Sequence, residues 1–274
     1  MNSIKIILVS ASVLALSGCF ENTRNTEQLC NKNPGLRCEL LNINDGQCRI
    51  PRTDLIWHRH EVQKQPTDKN IIKEFGLVSE YRKCLELAAQ IQPIDQTDLK
   101  QRRFSALMHT GEELDRITGQ LRQSTSPEAL YFLWSQIGDE RARQAFLRME
   151  GKPQLDTAEM QYALATFYTS RDEGKTIKLL NRSLELSNGK NLNTEVFKSL
   201  ASTYYQINMK EKAYIWAKVA FEFDVPIASE AELHLLYGFS KETYSELDDV
   251  ADDVVSALKS GEFNRNSLKA YGSI

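Results

Sequence analysis

This 274-residue chain has no apolar stretch near the ~20 residues that a membrane-crossing helix requires; its first apolar run, Ile6 to Leu16, stops at 11. Basic runs are missing too. With 34 basic against 37 acidic side chains, a net charge of −3, the linear sequence offers no electrostatic footprint for nucleic acid. Nor does it offer a polybasic stretch able to hold anionic lipid independently. Gly-x-Ser-x-Gly, the phosphate loop, His-Glu-x-x-His and the dinucleotide fingerprint are all absent, which leaves an enzyme reading without residues to test. No two cysteines lie two to four apart and no histidine pair has finger spacing, which argues against zinc. Glycine and proline are scarce, at 13 and 7, while Leu, Ala, Glu, Gln and Lys abound. That balance favours helix.

Five cysteines are present. The first closes Leu16-Ser17-Gly18-Cys19, behind Lys5 and the apolar run, the layout of a secretory signal with small residues at the cut. The tetrapeptide resembles the lipobox of bacterial lipoproteins. That resemblance implies that residues 1–18 are a lipoprotein signal peptide and that Cys19 carries lipid as the first residue of the mature chain. Phe20, standing where Asp would retain a lipoprotein in the inner membrane, implies export to the outer membrane; a domain facing the periplasm is expected, though no residue distinguishes that side from the outside. Several acyl chains on one residue make such an anchor effectively permanent. Residues 19–29 are polar, lack apolar periodicity and read as the lipidated tether. Loss of residues 1–18 removes Lys5 alone and shifts the net charge to −4.

Cys30, Cys38, Cys48 and Cys84 remain, an even count that reads as two disulfides in an exported chain. Three pairings are open. Asn33-Pro34-Gly35 is strong turn chemistry between Cys30 and Cys38 and favours Cys30–Cys38 with Cys48–Cys84. The segment from Cys30 to about Pro51 reads as a turn-rich cap too small to hold a core alone. Residues 30–125 are expected to comprise this cysteine-bearing head and its leading helices. The first opens at Thr53 or Asp54, the second runs from Ile71 to about Ile91 with Pro93 beyond, and the third opens at Asp95 or Thr97 with a bend near Gly111.

From Ser126-Pro127 the pattern becomes periodic. Leu130, Trp134 and Phe146 have counterparts 34 residues on at Leu164, Tyr168 and Leu180, and 36 further at Leu200, Tyr204 and Trp216. Such a period predicts stacked helical hairpins, with Ala165 and Ala201 letting helices approach closely. Ala158 to Tyr168 resembles the first helix of a Sel1 or tetratricopeptide repeat, and Lys212 to Ala220 resembles the second. The mature chain also resembles a family of uncharacterised bacterial lipoproteins with a cysteine-bearing head before such helices. The expected fold is therefore all-α: helical hairpin repeats forming a Sel1/tetratricopeptide-like solenoid, with a small disulfide-linked N-terminal head. Residues 126–260 are the repeat domain, closed by a capping helix at Glu242 to Leu258; residues 261–274 are a tail.

Two clusters attract chemical suspicion. Trp57-His58-Arg59-His60-Glu61 crowds catalytic residue types, but on a helix residues i and i+2 point about 200 degrees apart and do not chelate; a surface aromatic and basic patch is expected instead. Asp248, Asp249, Asp252 and Asp253 lack the Gly and Glu offsets of a calcium loop and read as a solvated face. No catalytic residue, metal, cofactor or small-molecule substrate is expected. By the tetratricopeptide offsets, Tyr162, Thr166 and Thr169 from one repeat and Lys198, Ser202 and Tyr205 from the next line a concave groove. These rings and hydroxyls suit an extended peptide or helix, and equally the plain wall of a stack. The leading expectation is a non-enzymatic, lipid-anchored interaction module or scaffold that binds another envelope protein. Two others stand beside it: an enzyme acting on cell-wall material near His58/His60, and a passive structural factor of the envelope.

Overall fold

The computed structural model describes residues 25–91, 97–189 and 192–265. Cys19, the signal peptide, residues 19–24 of the tether, Pro93, Asp95 and the tail from residue 266 lie outside the described residues. The described residues are all-helical, joined by turns and without a strand among them. They divide into two compact units. The first combines the described residues up to Lys64 with Leu77–Gly111; the second combines Gln65–Gly76 with the described residues from Glu112 onward.

In the first unit, α1 (Thr26–Lys32) starts where the Asn25 side chain accepts a hydrogen bond from the Gln28 amide. Residues 26–29, which composition alone reads as tether, are thus helical, and Trp57 Nε1 on the next helix donates to Thr26 Oγ1 at 3.0 Å. Two 3-10 turns follow, Pro34–Leu36 and Cys38–Leu41, with Arg37, Asn42 and Cys48 in the left-handed region. Helix α2 (Arg49–Lys64) begins four residues earlier than Thr53, because Pro51 sits in the first turn, where its missing N–H costs nothing. Helix α3 (Asp68–Ala88) and helix α4 (Thr97–Leu121) run continuously, α4 through Gly111 without a break.

A turn-rich cap cannot pair its carbonyls in a regular ladder, yet buried carbonyls need donors. Buried side chains of the helices supply them. Arg52 donates to Asn42 O at 2.8 Å, Arg59 to Leu36 O at 3.4 Å, and Tyr81 Oη to Leu41 O at 2.5 Å; burial pushes the Tyr81 hydroxyl up to about 12. Leu36, Leu41, Leu55, Ile56, Val78 and Leu85 fill the space between. Two disulfides, Cys30–Cys38 and Cys48–Cys84, close the unit.

The second unit continues through α5 (Pro127–Phe132), prolonged by a π-helical turn at Leu133–Ile137, and α6 (Glu140–Leu147). Then come α7 (Ala158–Tyr168), α8 (Glu173–Leu186), α9 (Glu195–Gln206), α10 (Lys210–Glu222), α11 (Glu230–Tyr237) and α12 (Lys241–Ser260). Side chains of Ser126, Asp139, Thr157, Asp172, Ser229 and Ser240 cap α5, α6, α7, α8, α11 and α12. Helices α5 and α6, α7 and α8, and α9 and α10 pack as hairpins, α8 also packs on α9, and α12 lies along α10. Most of the periodic positions are buried: Leu130, Leu164, Leu200 and Tyr204 from the first helices, Phe146, Leu180 and Trp216 from the second, with Ala165 and Ala201 between, whereas Trp134 and Tyr168 are half-buried. The period continues into α11 and α12. Leu233, Tyr237 and Val250 stand 33 to 34 residues after Leu200, Tyr204 and Trp216 and are buried as well.

Helix α12 is held at its end by a backbone contact. A Cβ on Gly189 would come within 2.8 Å of Gly261 N and Leu258 O, and one on Gly261 within 2.6 Å of Asn188 O; both glycines have left-handed φ, 70° and 77°. Arg265 then reaches back to Glu185 at 2.8 and 2.9 Å. Gly261→Ala is expected to cost about 2–3 kcal/mol from strain and displacement together, measured as a lowered urea midpoint. Gly174→Ala, whose Cβ would meet only the Asp172 side chain at 3.6 Å, is expected to be neutral or better. Equal stability of Gly261→Ala and the parent chain would refute the close approach.

Candidate functional site

The six residues expected to line a groove fall into two sets. Lys198, Ser202 and Tyr205, on one face of α9, converge with Ala201, Leu233, Leu236 and Tyr237 around an open pocket of about 350 Å³. Tyr162, Thr166 and Thr169 on α7 do not line it. Tyr162 is half-buried, and burial raises its hydroxyl above the ordinary value. Thr166 donates to Ala163 O and Thr169 to Ala165 O within their own helix.

The opposite wall of the pocket is α11. A capping box between Ser229 and Glu232 starts it and left-handed Gly238 ends it. Its eight residues bury Leu233 and Tyr237, one turn apart, against the hairpins. Leu235 and Leu236 then face outward, 87% and 52% exposed. A single exposed leucine is ordinary. Leu236 with Ile227 and Tyr205, all partly exposed around one apolar pocket, is the kind of patch that marks an interaction surface. The signal available in the sequence was the repeat of Leu200 and Tyr204 at Leu233 and Tyr237.

Within the pocket Tyr205 meets Tyr237 edge-on, ring centroids 6.0 Å apart. Burial pushes the Tyr237 hydroxyl up to about 12, so it stays a neutral donor. Lys198 pairs with Glu195 at 2.6 Å on the rim. The lining thus presents apolar area together with the hydroxyls of Ser202, Tyr205 and Tyr237.

The other two clusters lie outside this pocket. His58 and Arg59 are buried on α2, so the expected surface patch at 57–61 is not formed. That face of the helix turns inward to satisfy the cap. His58 Nδ1 lies 3.3 Å from Glu61 Oε2. Asp248 is half-buried and accepts from Tyr214 Oη at 2.7 Å, while Asp249, Asp252 and Asp253 are exposed. Among the described residues no three His, Cys, Asp or Glu side chains gather with metal-holding geometry, and no helix is long and apolar enough to cross a membrane.

Among the described residues, fold and site together define an all-helical protein with a disulfide-stapled first unit and a second unit of packed helical hairpins bearing an apolar pocket. The chain belongs to the family of proteins of unknown function DUF2989, whose model matches residues 16–218. The match runs from Leu16, beside Cys19, into α10; α11 lies beyond it. No curated protein and no solved structure matches the chain.

Proposed function

We propose that this protein is a lipid-anchored interaction module of the bacterial envelope, held at the outer membrane through Cys19 and binding another envelope protein or peptide through the α9–α11 groove. On this reading it is not an enzyme, and its hairpins are a Sel1/tetratricopeptide-like solenoid. The observation that carries the proposal is the convergence of Lys198, Ser202 and Tyr205 with the exposed α11 leucine Leu236 on one apolar pocket. The Leu16-Ser17-Gly18-Cys19 tetrapeptide, which the family match includes, supports the anchor. Confinement to a membrane raises the effective concentration of the groove toward a partner on the same surface.

Crosslinking in intact cells, with the captured proteins identified by mass, tests the proposal. Tyr205→Ala combined with Leu236→Ser is expected to reduce recovery of the specific partner about tenfold or more, as loss of an aromatic and an aliphatic anchor does. Both side chains are substantially exposed, so thermal midpoints should stay within a few degrees of the parent. Undiminished recovery of the same partner by the double variant would rule the groove out.

A further inference from the structure

The whole chain is mildly acidic, but its charge is not shared evenly. Among the described residues the first unit carries 11 basic against 8 acidic side chains, a net +3, whereas the second carries 19 against 27, a net −8. No basic run announces this in the sequence. It arises because residues 25–64, 77–91 and 97–111 fold into one unit.

The cationic unit also exposes apolar side chains. Phe104 and Met108 on α4 are 58% and 56% exposed, Leu87 and Ile91 at the end of α3 are 69% and 46% exposed, and Ile50 at the start of α2 is 71% exposed. On α4, Lys100, Phe104 and Met108 are spaced at four and four and share one helix face. Lys83, Leu87 and Ile91 repeat the same order at the same spacing on and just past α3. The two rows sit at adjoining ends of their helices, since Arg103 Nη1 bonds Ala88 O at 3.1 Å. A lysine one turn from an exposed apolar pair is the arrangement by which a helix lays its apolar residues on lipid while the ammonium reaches the headgroups.

The chain outside the structure limits what this unit meets. Cys19 is six residues before Asn25, the first described residue. At about 3.5 Å per residue those six span at most ~21 Å, so a lipid on Cys19 would keep Asn25, where the first unit begins, within that distance of the bilayer. We infer that the first unit docks on a phospholipid surface bearing anionic headgroups, through Phe104, Met108 and Leu87 with Lys83 and Lys100. The acidic second unit would be repelled by the same headgroups. The inference rests on the proposed Cys19 anchor.

Phe104→Trp, at an exposed site, provides the probe. The acylated chain is mixed with phosphatidylcholine vesicles containing phosphatidylglycerol and brominated acyl chains. Fluorescence attributable to the introduced indole is expected to fall about twofold, relative to the parent chain in the same vesicles. Adding Lys83→Glu and Lys100→Glu, or omitting phosphatidylglycerol, should remove most of that quenching. Flotation reports the anchor separately: a chain that fails to float shows the anchor to be wrong, and the docking inference falls with it. A chain that floats without quenching at position 104 overturns docking alone. Equal quenching in neutral and anionic vesicles overturns the assignment of anionic lipid.

Discussion

Arg103→Met is expected to lower stability by about 3–5 kcal/mol at neutral pH, the usual cost of stranding one partner of a buried ion pair. Arg103 Nε lies 2.6 Å from Asp45 Oδ2 and Nη2 lies 3.1 Å from Oδ1, and both side chains are 5% exposed. Asp45 also accepts from Asn42 Nδ2 at 3.0 Å and the Gln47 amide at 2.9 Å. Those two neutral donors remain in the variant but do not compensate a carboxylate cut off from water. The pair does a second task, because Arg103 Nη1 satisfies the carbonyl of Ala88 at the end of α3. Asp45→Asn added to Arg103→Met should restore part of the loss, since no buried charge then lacks a partner.

The pH dependence follows from the same contacts. Hydrogen bonding to Arg103 holds the Asp45 carboxyl below its ordinary 3.8. A depressed folded value means that the stabilisation is fully present above 3.8 and disappears as the pH falls through the lower folded value. Urea midpoints of the parent and Arg103→Met chains should therefore converge as the pH is taken well below 3.8. A gap independent of pH would mean that Arg103 contributes packing and its bond to Ala88, not the ion pair.

Replacing both Cys48 and Cys84 by alanine is expected to cost about 4 kcal/mol, against about 2.5 kcal/mol for the Cys30–Cys38 pair. The difference comes from the unfolded chain. The first bridge closes a sequence separation of 36 and the second one of 8, and a longer loop loses more freedom when it is closed. The Cys48–Cys84 bridge also joins the residue before α2 to α3, so its loss removes the covalent tie between the cap and the helix whose Tyr81 holds Leu41. Denaturation of the two paired variants under identical conditions measures the order. If the Cys30–Cys38 variant proves the less stable, loop closure is not the controlling effect.

Much of the second unit was readable in advance. Leu164, Ala165 and Tyr168 against Leu200, Ala201 and Tyr204 repeat at a spacing that helical hairpins commonly show, and the described residues pack as helical hairpins at those positions. Caps were legible for a local reason: a serine or aspartate before an apolar period meets amides two or three residues on. The groove was half legible. Its α9 wall follows from helical spacing, but the α11 wall depends on a helix of eight residues, too short to declare itself by periodicity. The 57–61 segment is not the surface patch its composition suggests, because composition cannot tell an exposed arginine from one recruited to a buried carbonyl. Arg59 serves Leu36, 23 positions earlier.

By itself the sequence determined what depends on neighbours a few residues apart: helical character, the mid-thirties hairpin period and the helix starts. Tertiary structure alone decided that Asp45 meets Arg103 across 58 positions, that Leu236 completes the pocket of Tyr205, and that a chain of net −3 divides into a cationic unit and an acidic one. Periodicity is imposed by backbone geometry and so is written locally. Pairing and charge partition are imposed by which distant segments share one core, and that is settled only when the chain closes on itself.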